Sequence, residues 1–148
     1  MYQSILVPVD GSAHAEKALK VAAQLASRPA KLYLINVQQP PDDIGLLVGG
    51  SGMPVSEEVI QKLVQEREDD ARRVLDKAYA AVKLDGLEVD EIIARGQPAE
   101  AIVAEAEALK VDAIVMGSRG MSDLKGMVIG SVSHRVGHTA HCTVVTVN

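Results

Sequence analysis

Short apolar runs alternate with longer helical periods from one end of the chain to the other, and this alternation limits the folds open to it. Residues 5–9, 32–37, 87–94, 113–116 and 142–147 are rich in Val, Ile and Leu and are bounded by turn residues, so they read as five strands. Ala15, Ala18, Leu19, Ala22 and Ala26 mark a first helix. A second, over about 56–83, carries Ile60, Leu63, Val64, Ala71, Val74, Leu75, Ala78 and Val82 at spacings of three and four, interrupted only by Arg67. Ser56 supplies its N-cap, and Glu57 and Glu58 place acids where the helix dipole favours them. Pro98, Ile102, Val103 and Ala106 give a third, with Pro98 near its first position, and a fourth runs over about 131–136 until Gly137 ends or weakens it.

Strands that are apolar on both faces, separated by amphipathic helices, predict a single α/β domain. Its core is a five-stranded, mainly parallel sheet with helices on both faces. The length of 148 residues suits one such unit. Sheets of this kind bind ligands beyond the carboxyl ends of their strands, where the strand order reverses.

Composition removes several function classes. No apolar stretch approaches the ~20 residues that span a bilayer, so no membrane insertion is expected. The opening MYQSILVPVD enters strand-like sequence at once, without a leader pattern, and Cys142 is the only cysteine. Both features point to a cytoplasmic protein without an intrachain disulfide. A net charge of −5, with no Trp, no Phe and three Tyr, lacks the basic stripe and aromatic platform that nucleic acid requires.

Chemistry concentrates after the fourth apolar run. The segment GSRGMSDLKGMVIGS places Gly117 and Gly120 where a strand ends, and Gly130 and Ser131, nine residues later, where a helix begins. Glycines let backbone amides approach a ligand closely, and a helix's first-turn N–H groups supply donors together with a favourable dipole. This is the pattern of a phosphate cradle. Asp10, Gly11 and Ser12 close the first strand; Ser12 is the better cap for the helix that follows, which leaves Asp10 for a ligand. The irregular stretch 40–54 contains Gly49, Gly50 and Gly52 but no Lys-Ser/Thr ending, so it reads as a flap rather than a second phosphate loop. His134, His138 and His141 invite a zinc reading, but Gly137 interrupts their helical spacing and they are taken as surface histidines, as is His14.

Taken together, ILVPVDGS at the start, RGQPAEAIVAEA after the third strand and VDAIVMGSRGMSDLKGMVIGSVSHRV towards the end resemble the universal stress protein family, specifically its ATP-binding branch. The resemblance covers essentially the whole chain. That branch is marked by Gly, two residues, Gly, nine residues, then Gly and Ser or Thr, and every fixed position is present. The implied fold is Rossmann-like, of the adenine nucleotide alpha hydrolase-like type, and the implied cofactor is ATP, with or without Mg²⁺. By position, Gly117 and Gly120 would let the turn wrap phosphates and ribose, with Ser118 and Arg119 contributing backbone donors. Gly130 would permit close approach, and Ser131, Val132 and Ser133 would offer amides and two hydroxyls. Pro8 and Val9 would form a wall with Asp10 near the adenine or ribose, while Val37 and Met116 would line the adenine slot.

The family's last strand commonly begins Cys-Pro, whereas Thr143 follows Cys142 here. Asp123 in the nine-residue loop would either repel phosphates or hold a divalent ion against them, and Lys125 is either a solvated lysine or a reach towards a terminal phosphate. The resemblance also implies a homodimer through antiparallel pairing of the final strands. It implies a regulatory, nucleotide-sensing role in stress response, with at most slow ATP hydrolysis. Two alternatives stand beside it. One is an ATP-hydrolysing or adenylating enzyme of a related fold, whose Ser-Gly-Gly-x-Asp-Ser loop is replaced here by Asp10, Gly11 and Ser12. The other is a protein-binding subunit, for instance of a transporter or signalling protein, with no nucleotide turnover.

Overall fold

The computed structural model describes residues 1–39, 56–120 and 130–148. Its elements run β1 (Tyr2–Pro8), α1 (Ala13–Leu25), β2 (Ala26–Gln38), α2 (Glu57–Ala81), β3 (Leu87–Arg95), α3 (Pro98–Leu109), β4 (Ala113–Gly117), α4 (Ser131–Thr139) and β5 (Thr143–Val147). The five strands form one parallel sheet in the order β3-β2-β1-β4-β5. The chain builds outward from β1 to β2 and β3, then returns past β1 to lay down β4 and β5. The reversal therefore falls between β1 and β4, as expected of a doubly wound sheet.

Alternation along the strands divides the core into two layers. Ile5, Val7, Leu32, Leu34 and Val115 pack under α1 and the Leu75 end of α2. Leu6, Ile35, Ile114 and Met116 face the other way, against α3 and α4. The central strands thus bury both faces, which is why β1 and β4 read as uninterrupted apolar runs. Ser12 caps α1 by accepting the Ala15 N–H at 3.1 Å, and Ser56 caps α2 by accepting that of Val59 at 3.4 Å. Such a cap stabilises a helix by about 1 kcal/mol.

Two element boundaries differ from the sequence reading. β2 begins at Ala26, directly where α1 stops, rather than near residue 32. The Ser-Arg-Pro stretch looks like a turn, yet it continues the strand. Ser27 Oγ donates to the Tyr2 carbonyl at 2.9 Å, and the register shifts between Tyr2 and Ser4 absorb the irregularity. α4 continues through Gly137 to Thr139. Glycine in a helix costs only about 0.5–1 kcal/mol relative to alanine, and wholly buried Val136 anchors that turn. The rings of His134 and His138 consequently meet edge to face, 4.5 Å between centroids.

Candidate functional site

A cleft of about 390 Å³ opens at the carboxyl ends of β1, β2 and β4, at the reversal point of the sheet. Its walls are set by backbone and side-chain ties among these strand ends. Val9 continues past β1 by donating its N–H to the Ile35 carbonyl at 2.9 Å. Buried Asn36 then donates its Nδ2 to the Val9 carbonyl at 2.8 Å and accepts from Gln38 Nε2. The β1 and β2 ends are fixed to each other before any ligand arrives. Gly11, at φ 87°, turns the chain into α1, and Asp10 accepts the Ser12 N–H on Oδ1 at 2.9 Å while remaining exposed to the cleft.

On the other side, Ser118 joins the two halves of the glycine segment. Its carbonyl accepts the Gly130 N–H and, at 2.9 Å, the hydroxyl of Ser133. That hydroxyl lies equally close to the Gly130 carbonyl, at 3.0 Å. These bonds hold the β4 turn against the start of α4. Gly130 occupies the N-cap of α4 without a side-chain cap bond, so the helix's first amides are left without an intrahelical partner.

Pro8, Val9, Asp10, Val37, Met116, Gly117, Arg119, Gly120, Ser131, Val132 and Ser133 all border this one cleft. Ser118 and Ser133 stand differently from the others. Ser118 does not border it: the residue is buried, and its N–H goes to the Val147 carbonyl at 2.8 Å, so it offers a ligand no backbone donor. Ser133 cannot offer its hydroxyl proton, which the Ser118 and Gly130 carbonyls hold, although its backbone remains at the helix start. Gly130 is buried behind the rim and is absent from the lining. The 40–54 stretch, Asp123 and Lys125 lie outside the described residues.

Sequence reasoning missed several lining residues. Ala15, Ile35, Asn36, Gln39, Pro98, Ile102 and Arg67 also border the cleft. Asn36 carried a signal, as a polar residue within an apolar strand run, and so did Arg67, as the one cation on the apolar stripe of α2. The lining combines an aliphatic slot with polar groups at its rim, the usual composition of a small-molecule site. Among the described residues, the cleft is bordered by two arginines, Arg67 and Arg119, and one carboxylate, Asp10.

Elsewhere, a smaller hollow of about 170 Å³ lies between α3 and the start of β5, beside Cys142 and the His141–Glu107 pair at 2.7 Å. Cys142 is half-buried against the core layer under α3 and α4, and burial pushes its thiol up from the ordinary value, away from thiolate reactivity. Among the described residues no group of three His, Cys, Asp or Glu is placed to hold a metal ion, and no helix is long and apolar enough to cross a membrane.

Comparison with known proteins places this geometry in context. A model of the universal stress protein family matches residues 1–148. The chain is 34% identical over 149 residues to universal stress protein YxiE of Bacillus subtilis, covering 99% of each. Among solved structures, hypothetical protein MJ0577, from Methanocaldococcus jannaschii, superposes with a TM-score of 0.74 at 30% identity, over 99% of this chain and 96% of that one. A universal stress protein from Archaeoglobus fulgidus in complex with dAMP superposes with a TM-score of 0.63 at 25% identity, over 99% and 98%.

Proposed function

The chain belongs to the universal stress protein family, and on that premise we propose that it is a cytoplasmic, nucleotide-sensing regulatory module that binds ATP in the cleft at the β1–β4 reversal. The observation that carries this reading is the pairing, in one cleft, of an aliphatic slot with the uncapped amides of Ser131–Ser133 and the guanidinium of Arg119. An apolar base and an anionic tail on one molecule match those two ends. The dAMP complex of the Archaeoglobus fulgidus relative supports an adenine nucleotide as the class. A longer phosphate chain is proposed because the first-turn amides of α4 and Arg119 of the β4 turn are two separate donor sets along one rim.

In this reading Val37 and Met116 bracket the base, Pro8 and Val9 form the inner wall, and Asp10 lies beside the sugar. The Gly117–Gly120 turn wraps the phosphates, which the α4 start receives. Ser118 and Ser133 contribute indirectly, by fixing the two loops to each other. Mg²⁺ would be carried by the phosphates themselves. No side chain described at the cleft combines a base with an aligned nucleophile, so the nucleotide acts as a signal rather than a consumed substrate.

β5 is one of the two edge strands of the sheet, which supports a homodimer formed by antiparallel pairing of two such edges. The nucleotide state would then be read at the loops above the cleft and at the dimer surface by a protein partner. The purified protein should release an adenine nucleotide on denaturation, and its melting temperature should rise with ATP and ADP. No co-purifying adenylate and no shift with ATP, ADP or AMP would remove this reading.

A further inference from the structure

Helix α2 presents a continuous inward face on which Leu75 and Ala71 are both wholly buried. One turn further towards the N-terminus the same face carries Arg67, since residues four apart lie above one another on a helix. There the sheet ends and the cleft begins, and Arg67 lines it. A guanidinium therefore stands where the stripe calls for hydrocarbon.

Arg73 pairs with Asp70, and Arg95 pairs with Glu68 at 2.5 Å. Arg67 forms no ion pair among the described residues, although Glu66 and Glu68 adjoin it in sequence. The Glu68–Arg95 pair also fixes where this part of α2 lies. Arg95 ends β3 opposite Gln38 of β2, so Arg67 stands on the β2 side of the cleft, with Val37 and Gln39. The amides of Ser131–Ser133 and the Arg119 side chain belong to the β4 side. Two strand spacings, about 10 Å, separate β2 from β4.

We propose that Arg67 is a base-recognition residue, whose guanidinium stacks on the exposed face of the purine while the aliphatic slot covers the other face. This rests on the reading of the cleft as an adenine nucleotide site. Among the described residues no Trp, Phe, Tyr or His borders the cleft, so a purine entering it meets no aromatic ring from them. A planar guanidinium stacks on aromatic faces and, being weakly hydrated, tolerates burial beneath a ligand better than an ammonium does. A cation with no ion pair among the described residues, on the β2 side of the cleft, has the shape and charge for that contact. Closure of Arg67 over the base also ties α2 to ligand occupancy, so the long helix registers whether the slot is filled.

The test is calorimetric titration of wild type, Arg67→Met and Arg67→Lys with adenosine, AMP and ATP, with folding followed by thermal denaturation. Arg67 is exposed, and methionine keeps its apolar stem, so both variants should melt with the wild type. Both should lose affinity for adenosine, AMP and ATP by one common factor of about ten, with lysine failing to rescue because it lacks the flat face. A wild type that binds ATP while Arg67→Met binds it equally well would overturn the inference alone. A loss confined to ATP, restored by lysine, would place Arg67 on the phosphates and overturn it too. A wild type that binds no adenylate would overturn the reading of the cleft and this inference with it.

Discussion

Gly117 lies directly beneath His14: a Cβ at Gly117 would stand 2.9 Å from the His14 Cβ and 3.0 Å from its carbonyl carbon. The contact is between the end of β4 and the first turn of α1, both backbone-borne, so neither side can rotate away. The glycine therefore serves the close packing of helix on strand as well as the turn that follows it. Gly117→Ala should shift the start of α1, with Asp10 and Ser12 attached to it, and lower stability by about 1–3 kcal/mol, the usual cost of overpacking. Denaturant unfolding measures this, and an unchanged midpoint would show that α1 yields freely.

Ser118 and Ser133 make opposite predictions although both are buried serines in one loop junction. Ser133 donates to backbone carbonyls of Ser118 and Gly130, whereas the Ser118 hydroxyl has no partner among the described residues. Ser133→Ala removes a hydroxyl donor from two carbonyls that keep the Gly130 and His134 N–H groups and should cost about 1 kcal/mol, while Ser118→Ala removes an unmet group and should be neutral or stabilising. Comparison of the two melting temperatures checks both at once.

Glu91 on β3 supplies a pH dependence. Burial pushes its carboxyl up from the ordinary value of 4.5, and Asp76 adds charge repulsion, partly countered by Arg72. A carboxyl raised in the folded state favours folding while protonated, and that contribution fades as pH rises through the folded value. Glu91→Gln should therefore melt above wild type at neutral pH, with the gap closing below pH 4.5. Equal melting temperatures at every pH would contradict the assignment.

The β5 edge can be tested without disturbing the sheet. Val147 turns its carbonyl to Ser118 on the β4 side, so alternation points the Thr146 N–H outward. Thr146→Pro removes an edge donor and leaves the β4–β5 ladder intact. Wild type should sediment as a dimer of 15.7 kDa chains and the variant as a monomer. A monomeric wild type would remove the proposed pairing.

Much of this architecture is legible in the chain because periodicity is a local property. The strand and helix order, the caps at Ser12 and Ser56 and the position of Pro98 follow from neighbours a few residues apart. The start of β2 does not, because what keeps Ser27 to Ala30 extended includes a bond to Tyr2, twenty-five residues away. Nor does the continuity of α4, where packing of Val136 outweighs the weak propensity of Gly137. At the cleft, the glycine spacing and Asp10 mark one rim. The inward turn of Ser118 depends on Val147, and the arrival of Arg67 depends on how α2 crosses β2 and β3. Both are tertiary facts that no window of sequence contains. Arg67 still left a trace, as the break in an otherwise apolar stripe.

Main-chain amides at the start of α4 are proposed to grip the phosphates, and Ser131→Pro removes the first of them. Ser131 is exposed at the first helical position, where proline is tolerated, and Gly130 at φ −69°, ψ 158° already has the extended backbone that a following proline requires. The substitution deletes one amide donor and the Ser131 hydroxyl while the helix remains. Calorimetric titration should show ATP affinity reduced at least about tenfold, with adenosine affinity unchanged. A folded Ser131→Pro protein that binds ATP as tightly as wild type would contradict the account.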